Sequence, residues 1–174
     1  PTTVDVAGTT YTATKAVVLA TGSYARSLPG LEIGGRVITS YEALELDHVP
    51  AKVVVLGGGV IGVEFASVWR SFGSEVTIVE ALPRLVPNED EACSKALDRA
   101  FRKRGITSKT GARFASVTQT DTGVTVHLES GDTLEADAVV ADGPTQGQRL
   151  LEFDDVGDRS PDSFGARAGC GQCP

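Results

Sequence analysis

A cluster of glycines between two apolar segments constrains this chain more than any other feature of its sequence. Residues 53–69 read VVVLGGGVIGVEFASVW: an apolar run, three consecutive glycines and a second apolar run. Ordering glycine costs more backbone entropy than ordering any other residue, so the cluster needs a structural reason. The spacing Gly57-x-Gly59-x-x-Gly62 between a predicted strand and a predicted helix is typical of a turn that binds a dinucleotide.

Each glycine of this turn has a predicted task. Gly57 would make the tight bend, Gly59 would let the backbone approach a pyrophosphate, and Gly62 would let the helix pack closely on the strand. The positive end of the helix dipole would then bind the phosphates. The alternative is a glycine-rich turn that binds nothing. The predicted cofactor-binding residues of the turn are Gly57, Gly58, Gly59, Val60, Ile61 and Gly62.

An acidic residue follows the turn at the distance that a dinucleotide site requires. Glu80 ends the second predicted strand, roughly 20 residues beyond Gly62. A carboxylate there accepts hydrogen bonds from the adenosine ribose and repels a 2′-phosphate, which favours NAD over NADP. Arg84, four residues further on, is the residue that could weaken this preference. The alternative for Glu80 is a surface glutamate with no task.

The chain around and beyond the glycines alternates between strands and helices. Strand 52–56 and helix 60–72 are followed by strand 75–79 and helix 89–104, which favours a parallel sheet. An antiparallel β-meander then follows, and a last apolar run at 138–141 returns to the sheet. The fold class is therefore α/β, a Rossmann-like dinucleotide-binding domain with a parallel sheet and an antiparallel meander. The predicted meander strands are 113–120, 124–130 and 133–136.

Local signals predict further elements. Residues 4–13 are typical of a β-hairpin, and residues 16–20 of a short buried strand. Ser40 is a candidate N-cap for a short helix. Asn88 is a second candidate N-cap, and Glu91 three residues later would complete a capping box.

Composition excludes several classes of partner. The formal net charge is -7 and no lysine or arginine cluster occurs. We therefore expect neither nucleic acid nor an anionic membrane as a partner of this chain. No apolar run approaches the roughly 18 residues of a membrane span. No methionine occurs, so we expect the sequence to be a piece of a longer protein.

The three cysteines do not indicate a disulfide scaffold or a metal site. Their odd number and small count fit a reducing cytoplasm. Cys170 and Cys173 have the two-residue spacing of a thiol–disulfide motif or half a zinc site. Neither the strand-to-helix context of a redox pair nor a second pair of zinc ligands accompanies them. We therefore predict no metal site, and we expect Cys93 to be a small apolar filler.

Three segments together carry a family resemblance: AVVLATGSYARSLPG, TSYEALEL and the run from VVVLGGG to RKRG at residues 53–105. They resemble the pyridine nucleotide–disulfide oxidoreductases over about residues 10–141. Ser67-Val68-Trp69 and Asp90-Glu91 resemble the dihydrolipoyl (lipoamide) dehydrogenase branch. This resemblance implies a flavoprotein with two dinucleotide-binding domains.

The resemblance also implies roles for individual residues. Thr21, Gly22 and Ser23 match a segment that contacts FAD, and the glycine turn and Glu80 match the NAD site. Glu64 matches an acidic residue near the nicotinamide and flavin rings, although an acid favoured by the helix dipole is the equal alternative. Phe114 matches a residue packed against adenine, although an ordinary core position is as good an interpretation.

The resemblance divides the chain as follows. Residues 1–35 would be the C-terminal part of an FAD-binding domain, 36–50 a linker, 51–142 the NAD-binding domain and 143–174 a divergent, disordered tail. The whole enzyme would reoxidise dihydrolipoamide with NAD as acceptor and use FAD. Its implied partners are a lipoyl-bearing acyltransferase of a 2-oxoacid dehydrogenase complex and a second subunit in a homodimer. The implied location is the cytoplasm.

The sequence departs from the family pattern in one decisive respect. The redox-active cysteines, which are separated by four residues in the family, do not occur in these 174 residues. We therefore predict no catalytic residue within the chain and no turnover of dihydrolipoamide by the chain alone. The alternatives are another branch of the family, such as a mercuric reductase or an NADH oxidase, and a non-catalytic dinucleotide-binding module.

Overall fold

The computed structural model describes residues 2–18, 20, 23–24, 27–141 and 146–147, with 23–24 and 146–147 described by their backbone. Three α-helices and twelve strands lie in this part of the chain. The helices are α1 (Ser40–Glu45), α2 (Val60–Ser71) and α3 (Glu91–Lys103). The strands are β1 (Thr3–Val6), β2 (Thr9–Thr12), β3 (Ser23–Tyr24), β4 (Val37–Ile38), β5 (Lys52–Leu56), β6 (Glu75–Glu80), β7 (Ile106–Thr110), β8 (Phe114–Gln119), β9 (Val124–Leu128), β10 (Thr133–Ala136), β11 (Ala138–Ala141) and β12 (Gln146–Gly147).

Five strands form a parallel sheet in the order β4-β11-β5-β6-β7. At its centre, Val55 pairs with Val140 on one side and with Ile78 on the other. Strands covered on both faces read as continuous apolar runs, which is why the buried residues of β5 and β11 are valine, leucine and alanine. The predicted α/β class with a parallel sheet is confirmed.

The two faces of the sheet bury different layers. Val53 and Val55 lie in a core with α2, α3 and the segment after β6, where Trp69 and Phe101 are buried. Val54 and Leu56, which alternate with them, lie in a second core formed with the meander. The molecule therefore has three layers: helices, parallel sheet and antiparallel sheet.

The antiparallel layer is the sheet β10-β9-β8. Its buried residues alternate along β9, where Val124, Val126 and Leu128 face the parallel sheet. The predicted meander is confirmed, with its strands shortened by one or two residues at several ends. The return strand predicted at 138–141 is confirmed as β11.

Two strands of the parallel sheet were not predicted. β7 reads ITSKT and has one apolar residue, so it carries no apolar run of the kind that marks a buried strand. β4 lies within the predicted linker 36–50 and contributes an edge strand of two residues. Both are edge strands of the sheet. β4 is apolar and buried, but two residues are too few to show a pattern, whereas β7 is partly exposed and tolerates polar residues.

The prediction of a strand at 16–20 is wrong for the described residues of that segment. Residues 16–18 and 20 have no strand geometry, and Val18 is 84% exposed. A strand needs a neighbour for its backbone hydrogen bonds. Among the described strand pairings, none involves this segment.

The helix caps differ from the prediction. α1 is capped by Thr39 rather than Ser40, with Glu42 completing a capping box. α3 begins at Glu91 after Asp90, which makes no side-chain cap hydrogen bond, so the capping box predicted for Asn88 is wrong. The N-cap of α1 is one residue before the predicted one, and the N-cap of α3 is two residues after it.

Two further sheets have two strands each. β1 and β2 form the predicted hairpin, in which every residue is exposed. β12, within the predicted tail, pairs antiparallel with β3. Over the described residues, the helices are too short and too polar to cross a bilayer.

Candidate dinucleotide-binding site

The turn between β5 and α2 requires glycine at its first position. Gly57 has a φ of 114°, which lies in the region that side chains disfavour. Its N–H donates to the carbonyl of Val79 at 2.9 Å, so the turn that follows β5 is hydrogen-bonded to the end of β6. Gly59 is the N-cap of α2 and provides no side-chain cap. The first turn of α2 therefore presents backbone and the positive dipole end rather than a side chain.

Gly62 allows α2 to pack directly on the turn. A Cβ at this position would lie 2.1 Å from the Gly57 carbonyl oxygen and 3.3 Å from Cγ1 of Val55. No side chain fits there without displacing the helix. The close packing predicted for Gly62 is confirmed.

Glu80 is bound to the same turn through its carboxylate, a contact that the sequence did not reveal. Oε2 accepts a hydrogen bond from the backbone N–H of Gly58 at 2.6 Å, and Oε1 accepts one from Leu82 at 2.7 Å. Glu80 is only 8% exposed. Burial of a carboxylate is favourable only when it is hydrogen-bonded, and two backbone donors meet that need.

The middle glycine is explained by this contact. A Cβ on Gly58 would lie 2.8 Å from Cδ2 of Leu85 and 3.1 Å from Oε2 of Glu80. The Gly58 carbonyl in turn accepts from the N–H of Val86 at 2.7 Å. Glycine at position 58 thus allows the close approach of Glu80 and of the segment after β6.

A cavity of about 680 Å³ opens at the carboxyl ends of β5 and β6. In open parallel sheets, ligands bind at this edge. Gly57, Glu80 and Phe114, which are far apart in sequence, all line it. The complete lining is Leu28, Pro29, Leu56, Gly57, Val79, Glu80, Ala81, Ala112, Arg113, Phe114, Ala115 and Glu129.

The other predicted site residues lie as follows. Phe114 is partly buried and packs against the meander core while it lines the cavity, so both of its interpretations stay open. Glu64 is exposed in the second turn of α2 and does not line the cavity. Thr21 and Gly22 lie outside the described residues, and Ser23 is described only as backbone in β3.

Arg84 does not share the cavity with Glu80. One guanidinium nitrogen donates to the Pro87 carbonyl at 2.7 Å, and another donates to Oγ of Ser94 at 3.2 Å. Arg84 lines a separate cavity of about 540 Å³ beside α3. Its side chain connects the segment after β6 to that helix.

The remaining candidates for chemistry have structural partners or lie elsewhere. Glu91 forms an ion pair with Lys95 at 2.6 Å, and the side-chain hydrogen bond from Lys95 lowers the pKa of Glu91. Cys93 is exposed rather than packed in the core, so the prediction of an apolar filler is wrong. Cys170 and Cys173 lie outside the described residues. Within the described ranges, no three His, Cys, Asp or Glu side chains come together as metal ligands.

Comparison with known proteins identifies relatives of this architecture. A dihydrolipoamide dehydrogenase from Chaetomium thermophilum is 44% identical over 140 residues, which are 76% of this chain and 28% of the relative. LpdA from Mycobacterium tuberculosis superposes with a TM-score of 0.68 at 33% identity, over 82% of this chain and 32% of LpdA. The flavoprotein disulfide reductase RclA from Escherichia coli gives a TM-score of 0.68 at 32% identity, over 73% of this chain and 29% of RclA.

The chain spans about a third of the length of the curated relatives that it matches. Residues 1–157 match the family described as pyridine nucleotide-disulphide oxidoreductases. That range includes the glycine turn, Glu80, the meander and the return strand β11. The chain therefore belongs to the pyridine nucleotide-disulphide oxidoreductase family.

Proposed function

We propose that this chain is the NAD(H)-binding portion of a dihydrolipoyl dehydrogenase-like, FAD-dependent oxidoreductase. The observation that carries the proposal is the shared cavity of Gly57 and Glu80 at the carboxyl edge of the parallel sheet. The buried carboxylate of Glu80 accepts from Gly58, and the next residue, Gly59, begins a helix whose N-terminus has no side-chain cap. This is the pair of groups that a dinucleotide needs, one for its pyrophosphate and one for its ribose.

The residues present fit NAD in the following way. The N-terminal backbone of α2, from Gly59 to Gly62, would bind the pyrophosphate. Glu80 accepts one backbone N–H on each oxygen, and each oxygen keeps lone-pair capacity for a ribose hydroxyl. The apolar part of the cavity, including Phe114, would hold the adenine. NAD itself supplies the hydride-accepting ring, and the protein supplies its position.

The same geometry favours NAD over NADP. A 2′-phosphate would lie against Glu80, which is 8% exposed and therefore poorly screened by solvent. Arg84 is occupied by Pro87 and Ser94 and lines another cavity, so it does not offset that repulsion.

The activity of the whole enzyme is part of the proposal. Several curated relatives at 41–44% identity are named dihydrolipoyl or dihydrolipoamide dehydrogenase, which supports dihydrolipoamide as the substrate and FAD as the second cofactor. Thr21, Gly22 and Ser23 would contact FAD, and Glu64 would lie near the nicotinamide. Residues 1–35 would belong to the FAD-binding domain and 51–142 to the NAD-binding domain. A homodimer, a lipoyl-bearing acyltransferase partner and a cytoplasmic location complete the proposal.

One alternative has an observation in its favour. The similarity to RclA, a disulfide reductase named without lipoamide, supports another branch of the family. The gene sequence upstream of residue 1 separates the two, because each branch carries its own pattern around the redox cysteines. Absence of any cysteine pair there would favour a non-catalytic binding module.

The test is a titration of the 174-residue chain with NADH and NADPH, followed by nicotinamide fluorescence, with circular dichroism on the same sample. We expect saturable NADH binding, much weaker NADPH binding, and loss of NADH affinity in Glu80→Ala. Glu75→Ala is the matched control because Glu75 lies at the opposite end of the same strand and is exposed. A folded chain that binds neither nucleotide would refute the proposal.

A further inference from the structure

Three charged residues line the cavity of the glycine turn: Glu80, Arg113 and Glu129. Glu80 is fixed by its two backbone donors. Arg113 is the one cation among the described residues that line this cavity. Arg113 and Glu129 are both exposed, and neither belongs to an ion pair within the described part of the chain. Within the described part of the chain, the cavity is thus lined by two charged side chains that form no ion pair.

The backbone fixes where these two residues lie. The N–H of Ala112 donates to the Glu80 carbonyl at 3.0 Å, so Arg113 follows a residue bonded to the acid of the site. The N–H of Glu129 donates to the Arg113 carbonyl at 2.9 Å. Arg113 lies on the crossing from β7 to β8, and Glu129 follows β9. The two hydrogen bonds therefore bring one cation and one additional anion to the cavity that Glu80 lines.

We infer that Arg113 and Glu129 are specificity-determining residues that tune how strongly this cavity rejects a nucleotide 2′-phosphate. The inference rests on the proposed binding of NAD(H). Arg113 favours the 2′-phosphate, because a guanidinium binds phosphate oxygens through paired N–H donors. Among the described residues, Arg113 has no ion pair that would have to break first. Glu129 acts in the opposite direction by adding a second negative charge to that of Glu80.

The two residues should act on selectivity rather than on the fold. Both side chains are exposed and lie outside the two buried cores. The ratio of the NADPH to the NADH dissociation constant isolates the 2′-phosphate, because the two nucleotides differ in nothing else. An exposed charge changes such a ratio by about three- to tenfold, and salt screens the effect.

The experiment measures this ratio for the unsubstituted chain, Arg113→Ala and Glu129→Gln at low and high ionic strength. Competition of ADP and 2′,5′-ADP against bound NADH gives the same ratio where NADPH itself binds too weakly. Arg99→Ala is the matched control, because Arg99 is an exposed arginine that lines none of the cavities described above. Circular dichroism verifies the fold of each variant.

We expect the ratio to rise about three- to tenfold in Arg113→Ala, to fall by a similar factor in Glu129→Gln, and to stay unchanged in Arg99→Ala. Equal weakening of NADH and NADPH in Arg113→Ala would overturn the inference while leaving the proposed function intact. An equal response of Arg99→Ala would also overturn it, because the effect would then be general electrostatics. A folded, unsubstituted chain without NADH binding would refute the proposed function and this inference together.

Discussion

Oε2 of Glu80 accepts a hydrogen bond from the backbone N–H of Gly58 at 2.6 Å, across 22 residues of sequence. The acid proposed for the ribose is therefore also part of the structure of the turn proposed for the pyrophosphate. Its other oxygen, on the N–H of Leu82, fixes the segment that follows β6. A substitution at Glu80 consequently changes the shape of the site as well as its charge.

This double contact predicts that Glu80→Gln destabilises the chain in the absence of nucleotide. An amide has one acceptor oxygen, so its NH₂ group would face one of the two backbone donors. We expect the free energy of unfolding to fall by about 2–3 kcal/mol, measured by urea denaturation. Glu75→Gln, on the exposed end of β6, should change it by less than about 0.5 kcal/mol. Equal stability of the two variants would show that the Glu80 contacts contribute little to the fold.

Gly62→Ala tests the contact between α2 and the turn. Its Cβ would lie 2.1 Å from the carbonyl oxygen of Gly57, a backbone atom that cannot rotate away. We expect a loss of at least about 3 kcal/mol in unfolding free energy, together with loss of NADH binding. Gly123→Ala is the control, because its Cβ would lie 3.4 Å from the nearest atom, the carbonyl oxygen of Ala136. A stable Gly62→Ala variant would mean that the helix shifts more easily than this packing implies.

Arg84→Ala should leave nucleotide selectivity unchanged. Because its guanidinium is bonded to Pro87 and Ser94 beside α3, its removal affects that junction and not the cavity of Glu80. We expect a stability loss of about 1 kcal/mol by thermal denaturation and an unchanged ratio of NADPH to NADH affinity. A marked change in this ratio in Arg84→Ala would contradict the prediction, because it would show that Arg84 contacts the 2′-phosphate of NADPH.

The capping box of α1 predicts a pH-dependent contribution. Hydrogen bonds from the Thr39 side chain and backbone lower the pKa of Glu42 below its ordinary value of 4.5. A carboxylate with a lowered pKa in the folded state stabilises the fold above its unfolded pKa, and this contribution is lost as the pH falls through the folded value.

Glu42→Ala should therefore destabilise the chain by about 0.5–1 kcal/mol at pH 7, and by progressively less as the pH falls below 4.5 and through the lowered pKa of Glu42. Urea denaturation across this pH range measures the difference. Glu45→Ala, in the last turn of the same helix, is the control because Glu45 lies outside the capping box. A constant difference for Glu42→Ala at all pH values would exclude the carboxylate as its cause.

The strongly patterned elements were predictable from the sequence because each carries its own signal. β5 is a continuous apolar run that ends at Gly57, and α2 follows with a helical apolar face. β9, the central strand of the meander, alternates between buried and partly buried residues. β7 carries no such signal because it is partly exposed and mostly polar, and β4 carries none because it has only two residues.

By itself, the sequence determined the α/β alternation, the glycine turn and the acid that follows it, because spacing along the chain sets where strands end and which residues stand at those ends. Only the tertiary structure decided that Glu80 bonds to Gly58, that Arg84 lies at another cavity, and that Arg113 and Glu129 lie beside Glu80. These contacts join residues from different segments of the chain. Local propensity does not encode them, because the packing of the sheet against the helices and the meander brings them together.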